Sequence, residues 1–144
     1  MTLQLSVAVR NARLDAIETT TGTSAILKIR SGTVPATCAT ADAGTVLATC
    51  NLPSDYLAAA SSGSKAKSGT WEDTSAAATG TAAHFRLYAS DGTTCHAQGT
   101  VTATGGGGDM TVDNVSFAAA QAFTITGFTL TDGAIRMLVL LHFY

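Results

Sequence analysis

Along residues 5–20, apolar positions recur with helical spacing. Leu5, Val9, Ala12 and Ala16 form a stripe that Leu14 and Ile17 widen, while Arg10, Asn11, Arg13, Asp15 and Glu18 fall mostly on the other side. Ser6 is a natural N-cap for this segment. The run Thr19-Thr20-Thr21-Gly22 opposes continuation, because β-branched residues and glycine are poor in a helix interior. The pattern therefore predicts one helix over residues 6–20.

Beyond Gly22 the period changes from 3.6 to 2. Residues 25–30 read as a strand ending at Ser31-Gly32, and residues 45–52 read as a second strand closed by Pro53. Tyr56–Ala60 suggests a short helical turn. Ser61–Ser68 is small, polar and weakly basic, which predicts a surface loop. Residues 69–72 form a short strand around the single tryptophan, Trp71. Residues 84–88 and 93–102 alternate on either side of Ser90-Asp91-Gly92, the strongest hairpin signal in the chain. Gly105–Gly108 reads as a flexible connection, followed by strands at 110–112, 115–117 and 123–130.

The last segment has a different pattern. Ile135, Met137, Val139, Leu141 and Phe143 share one strand face, and Leu138, Leu140 and Tyr144 lie on the other. A strand apolar on both faces must be covered on both. Three arrangements fit: a central strand, a strand covered by another subunit, or an atypical extension of the domain. With short strands and turn signals every 8–12 residues or so, the expected fold is mainly β. It is a β-sandwich or jelly-roll-like domain over residues 23–144 with a helical arm over residues 1–22, forming one compact unit.

Composition narrows the function. The chain has 144 residues, and only 12% are charged, against roughly a quarter in ordinary domains. A surface so poor in charge is weakly protected against association and suits an assembly. The net charge is −2 and no basic cluster exceeds Lys65-Ala66-Lys67, so neither nucleic acid nor an anionic membrane surface is an expected partner. Met1–Ser6 lacks a basic, then apolar, leader pattern, so no signal peptide is expected and the chain is expected to be made in a cytoplasm.

No constellation predicts catalysis or a cofactor. Cys38, Cys50 and Cys95 have no C-x-x-C spacing and read as reduced thiols, with a Cys38–Cys50 bridge as the alternative. His84 and His96 flank the hairpin, but alternation puts Cys95 and His96 on opposite faces, against a zinc cluster. The acids fall in turns, no serine sits in a G-x-S-x-G elbow, and Gly105–Gly108 lacks the Lys-Ser/Thr of a phosphate loop. Asp109, Asp113 and Asn114 do not have the spacing of a calcium-binding loop. Trp71, Tyr56, Phe85 and Tyr88 read as core, with a sugar-stacking platform as the functional alternative.

Two stretches carry a resemblance. They are Leu5–Glu18, and His84–Tyr88 through Gly99–Met110 to Phe123–Leu130. Together they resemble small β-rich proteins encoded among the virion structural genes of tailed bacteriophages. The resemblance implies a non-enzymatic role in a particle assembled in the host cytoplasm. The leading expectation is a capsid decoration (cement) protein that forms a dimer or trimer and binds the major capsid protein. A tail, neck or fibre component, or a receptor- or carbohydrate-binding module, is the alternative. The expected interface comprises Leu5, Val9, Ile135, Met137, Leu138, Val139, Leu140, Leu141, Phe143 and Tyr144.

Overall fold

A computed structural model describes residues 3–125 and 127–132. The expected N-cap forms: Ser6 Oγ accepts from the Val9 N–H at 3.3 Å, satisfying a first-turn donor that has no partner within the helix. Helix α1 runs Val7–Thr21, and it ends at Gly22, whose N–H returns to the Glu18 carbonyl at 2.8 Å. The strands that follow are β1 (Ile26–Arg30), β2 (Val46–Asn51), β3 (Ser64–Ala66), β4 (Glu72–Asp73), β5 (Gly80–Thr81), β6 (His84–Tyr88), β7 (Cys95–Ala103), β8 (Met110–Val112), β9 (Ser116–Phe117), β10 (Phe123–Thr124) and β11 (Thr129–Thr131). The protein is thus mainly β with one N-terminal helix, as the periodicity predicts.

Five strands form the principal sheet in the order β2-β1-β6-β7-β8. Its register sorts the side chains into two unlike faces. Leu27 stands between Cys50 and Leu87, and Ile29 between Ala48 and Phe85. All six are buried. Lys28 pairs with Arg86 and Arg30 with His84, so the opposite face is polar. Three two-stranded ribbons, β4–β10, β3–β11 and β5–β9, complete the fold. Residues in and beside them join the apolar face in one core: Trp71 packs on Phe128 at 5.3 Å between ring centres, and Phe128 meets Phe85 edge-on at 6.2 Å.

The predicted hairpin is β6–β7, which is antiparallel. Asp91 shapes its turn by accepting from the Thr93 and Thr94 N–H groups, each at 2.8 Å, an Asx-type turn. Those bonds, with the Thr94 hydroxyl, hold its carboxyl well below the usual range.

Several expectations are corrected. Residues 56–60 do not make a helical turn: Leu57 bridges Lys67, and the Ala58 N–H bonds the Ala66 carbonyl. The expected loop 61–68 contains β3, which finds its partner β11 far along the chain. The single strand expected over 123–130 is two short strands serving different ribbons. Short polar segments whose pairing is remote carry little periodicity of their own, so they escape local pattern reading.

Gly105–Gly108 is a packed loop rather than a slack connection. It turns the chain so that β8 lies parallel to β7, with Val101 opposite Met110. A parallel pair normally needs a much longer crossover. Gly105 and Gly107 take φ of 87° and 74°, which disfavours residues with a Cβ. Gly106 and Gly108 lie against Thr102, where a Cβ would come within 2.7 Å and 2.8 Å of its side chain. The Thr102 hydroxyl also accepts from the Gly108 N–H at 3.0 Å. Gly108→Ala should therefore cost about 1–3 kcal/mol by overpacking, read as a lower urea midpoint. A midpoint equal to that of the parent protein would mean the loop yields freely.

Candidate functional site

The polar face of the sheet is covered by the 31–45 connection between β1 and β2. That cover buries His84, Arg86 and Tyr88 on the outer side of β6 while the core buries Phe85 and Leu87 on the inner side. Arg86 is 1% exposed and spends its terminal donors on the connection. Its Nη1 reaches the Thr40 carbonyl at 3.1 Å and Asp42 Oδ1 at 2.5 Å, and its Nη2 reaches the Cys38 carbonyl at 2.7 Å. Arg30 bonds Asp42 Oδ2 and also lies near the Ala43 and Gly44 carbonyls. Tyr88 donates its hydroxyl to Asp42 Oδ1 at 2.7 Å. A single carboxylate thus ties two guanidiniums and a phenol, a geometry that fixes the connection in place.

Titration follows from these contacts. Burial pushes the Asp42 carboxyl up, but Tyr88, Arg30 and Arg86 outweigh it and hold the pKa below the usual range. Burial, reinforced by the hydrogen bond to Asp42, pushes the Tyr88 phenol up to about 12. Burial and the neighbouring guanidiniums hold His84 below the usual range, against the pull of its bond to Gly32. Its Nδ1 lies 2.9 Å from the Gly32 carbonyl. A carbonyl only accepts, so Nδ1 carries the ring proton of this neutral imidazole.

The helix docks by its charged side. Asn11 accepts from the Gly63 N–H at 2.8 Å, Asp15 from the Ala60 N–H at 3.0 Å, and Glu18 from the Leu57 N–H at 3.2 Å. Lys65, 3% exposed, sits between Asp15 at 2.8 Å and Glu18 at 3.0 Å. At the far end of the described chain, the Asp132 carbonyl accepts from Arg10 Nε at 2.7 Å, and the Asp132 carboxylate pairs with Arg13 at 3.2 Å. Leu14 is buried among these contacts.

This orientation reverses the simplest reading of an amphipathic helix. The body presents backbone N–H groups and a buried ammonium to α1, and acceptors satisfy those better than methyl groups do. Of the predicted apolar stripe, Val9, Ala12 and Ala16 consequently face outward, Leu5 and Ile17 are half-buried, and Leu14 alone is buried. The exposed large hydrophobic residues among those described are Leu3, Val7 and Val9, at 45%, 50% and 46%. All three fall within the first turn and its approach, Val9 on the outer side and Val7 in line with the docked Asn11, Leu14 and Glu18, which makes the N-terminal end of α1 the candidate interaction surface.

The other expected residues separate. Ile135, Met137, Leu138, Val139, Leu140, Leu141, Phe143 and Tyr144 lie outside the described residues. Trp71, Tyr56, Phe85 and Tyr88 are buried, so none offers a ring face to a sugar. His84 is buried beside Gly32, whereas His96 is exposed near the far end of α1. Among the described residues no group of three His, Cys, Asp or Glu is placed to hold a metal. The Asp109 carboxylate is held by the Thr100 N–H and hydroxyl, both at 2.8 Å, and so braces the β7–β8 loop. Cys50 is on the apolar face and Cys38 lies over the polar face, which excludes a Cys38–Cys50 bridge in this fold.

The Arg30–Asp42–Arg86–Tyr88 clamp was missing from the expected sites. One signal was present: in alternating strands, Lys28, Arg30, His84 and Arg86 share a face, and Asp42 is the acid in the connection that crosses it. No helix among the described residues is long and apolar enough to cross a membrane. A scan of protein-family models, a search of curated proteins and a search of solved structures each find no match.

Proposed function

We propose that this protein is a non-enzymatic assembly module, a capsid decoration protein of a tailed bacteriophage that joins copies of itself and binds the major capsid protein. The observation that carries the assembly reading is the mounting of α1. Its polar side is bonded to the body from Arg10 onward, and Leu3, Val7 and Val9 are left exposed at its N-terminal end. A low-charge chain that leaves an apolar helix end uncovered gains by covering that end against a partner. The virion reading rests on the resemblance carried by residues 5–18, 84–110 and 123–130. With Trp71 1% exposed, the assembly reading is favoured over a carbohydrate-binding module.

Light scattering across a dilution series tests self-association. The parent protein is expected to run as a dimer or trimer, and Val7→Lys/Val9→Lys as a monomer with an unchanged far-UV spectrum. Equal masses for the two proteins would remove α1 from the interface. Co-sedimentation with empty phage capsids tests the decoration role: saturable binding by the parent, lost in the double variant, is the expected result.

A further inference from the structure

The clamp brings two cysteines together that are far apart in sequence. Arg86 donates through Nη2 to the Cys38 carbonyl at 2.7 Å and through Nε to Cys95 Sγ at 3.2 Å. The Cys38 backbone and the Cys95 thiol thus share one guanidinium, and burial, with Cys95 beside it, pushes the Cys38 thiol up. Both residues are half-buried, at the rim where the 31–45 connection meets β7. We propose that Cys38 and Cys95 are a modification site, closed to a disulfide by small-molecule disulfides, that locks the 31–45 connection onto the β6–β7 hairpin.

The exchange balances without any other reactant. One cysteine, as thiolate, attacks a sulfur of a low-molecular-weight disulfide such as oxidised glutathione. A protein–glutathione mixed disulfide forms, and one glutathione thiolate leaves and takes up a proton. The second cysteine gives up its proton and attacks the protein sulfur of that mixed disulfide, expelling the second glutathione. Two protein thiols are oxidised to one disulfide, and one glutathione disulfide is reduced to two thiols. Arg86 Nε–H points at Cys95 Sγ, where negative charge is held during exchange.

Cys50 provides an internal control. It is fully buried on the opposite face, and burial, with Asp73 and Glu72 nearby, pushes its thiol up to about 12. Its full burial, where Cys38 and Cys95 are only half-buried, keeps it from exchange in the native protein.

The test equilibrates the native protein with oxidised and reduced glutathione, followed by acid quench, thiol titration under denaturing conditions and peptide mapping. Of the 3 cysteines, one titratable thiol should remain after oxidation, with Cys38 and Cys95 in one linked peptide pair. The melting temperature should rise by on the order of 10 °C and return on reduction. Cys38→Ser and Cys95→Ser should each abolish both effects. The same oxidation in denaturant should lose the selectivity and favour the sequence-near pair Cys38 and Cys50. Three remaining thiols, a bridge to Cys50, or a Cys38–Cys95 bridge that leaves the melting temperature unchanged would each overturn the proposal.

Discussion

Asp42→Ala is expected to lower the unfolding free energy by about 3–5 kcal/mol, the range for removing one partner of a buried ion pair. Arg30 and Arg86 side chains are 7% and 1% exposed, and both pair with this carboxylate. Without it, two guanidiniums face each other in a region that water reaches poorly, and the Tyr88 hydroxyl loses its acceptor. Asp42 itself is 38% exposed, so water admitted at the rim brings the expected loss toward the lower end. Asp42→Asn keeps an acceptor for Tyr88 and removes only the charge, so it should fall between the two. Urea unfolding at neutral pH measures both, and a loss below about 1 kcal/mol for the alanine variant would show that the clamp carries no load. The pH dependence has a definite sign. The folded pKa of Asp42 is depressed, so its contribution is present above the unfolded value, near 3.8, and fades as pH falls through the folded value. The parent protein should therefore lose stability below about pH 4, and Asp42→Ala should lose less over that interval.

Lys65→Met is the second large effect, about 2–3 kcal/mol, the scale of hydrogen bonds to charged groups. The substitution keeps the buried stem and removes the ammonium that bridges Asp15 and Glu18. Both acids retain a backbone N–H, from Ala60 and Leu57, and both can rehydrate, which is why the loss stays below that at Asp42. Burial pushes the Lys65 pKa down, but the two carboxylates outweigh it and raise it above its ordinary value. A raised pKa gives stability that is complete below about 10.5 and declines as pH rises through the folded value. The difference between parent and variant should thus be constant through neutral pH and shrink only in strong alkali. Amide hydrogen exchange places the effect: α1 should lose protection in Lys65→Met while β1 and β6 keep theirs. Uniform loss across the domain would mean that helix docking and sheet formation are one cooperative unit.

These two residues also show what local pattern can reveal. The limits of α1 were legible because Ser6, Thr21 and Gly22 act through bonds within a few residues. The β6–β7 hairpin was legible because Asp91 and Gly92 build their turn locally. The facing of α1 was not, since it depends on donors at 57, 60, 63 and 65 that strand pairing assembles. Nor was the burial of β6 on both sides. The 31–45 connection that covers it is mostly Ala, Thr, Gly and Ser with no period, and its hold on Arg86 runs mainly through backbone carbonyls, which every residue has. The clamp was partly legible, as four basic side chains sharing one face with a single acid to meet them. The polar Ser64–Ala66 strand was hidden because its partner, Thr129–Thr131, is at the other end of the chain.

The docking of α1 has a consequence for the order of events during synthesis. The helix leaves the ribosome before the strands that follow it, and its anchors emerge much later: Leu57 to Lys65, and then Asp132. The sheet cannot close before β6 appears, because β1 lies between β2 and β6. The nascent chain must therefore hold a short helix without partners while most of the body is being made. A helix of this length is marginal alone in water. Its largely charged inner side adds little to the apolar surface that the helix already exposes during that wait, which limits contact with neighbouring nascent chains. Docking by carboxylates and one buried ammonium thus suits a helix that is made well before its anchors.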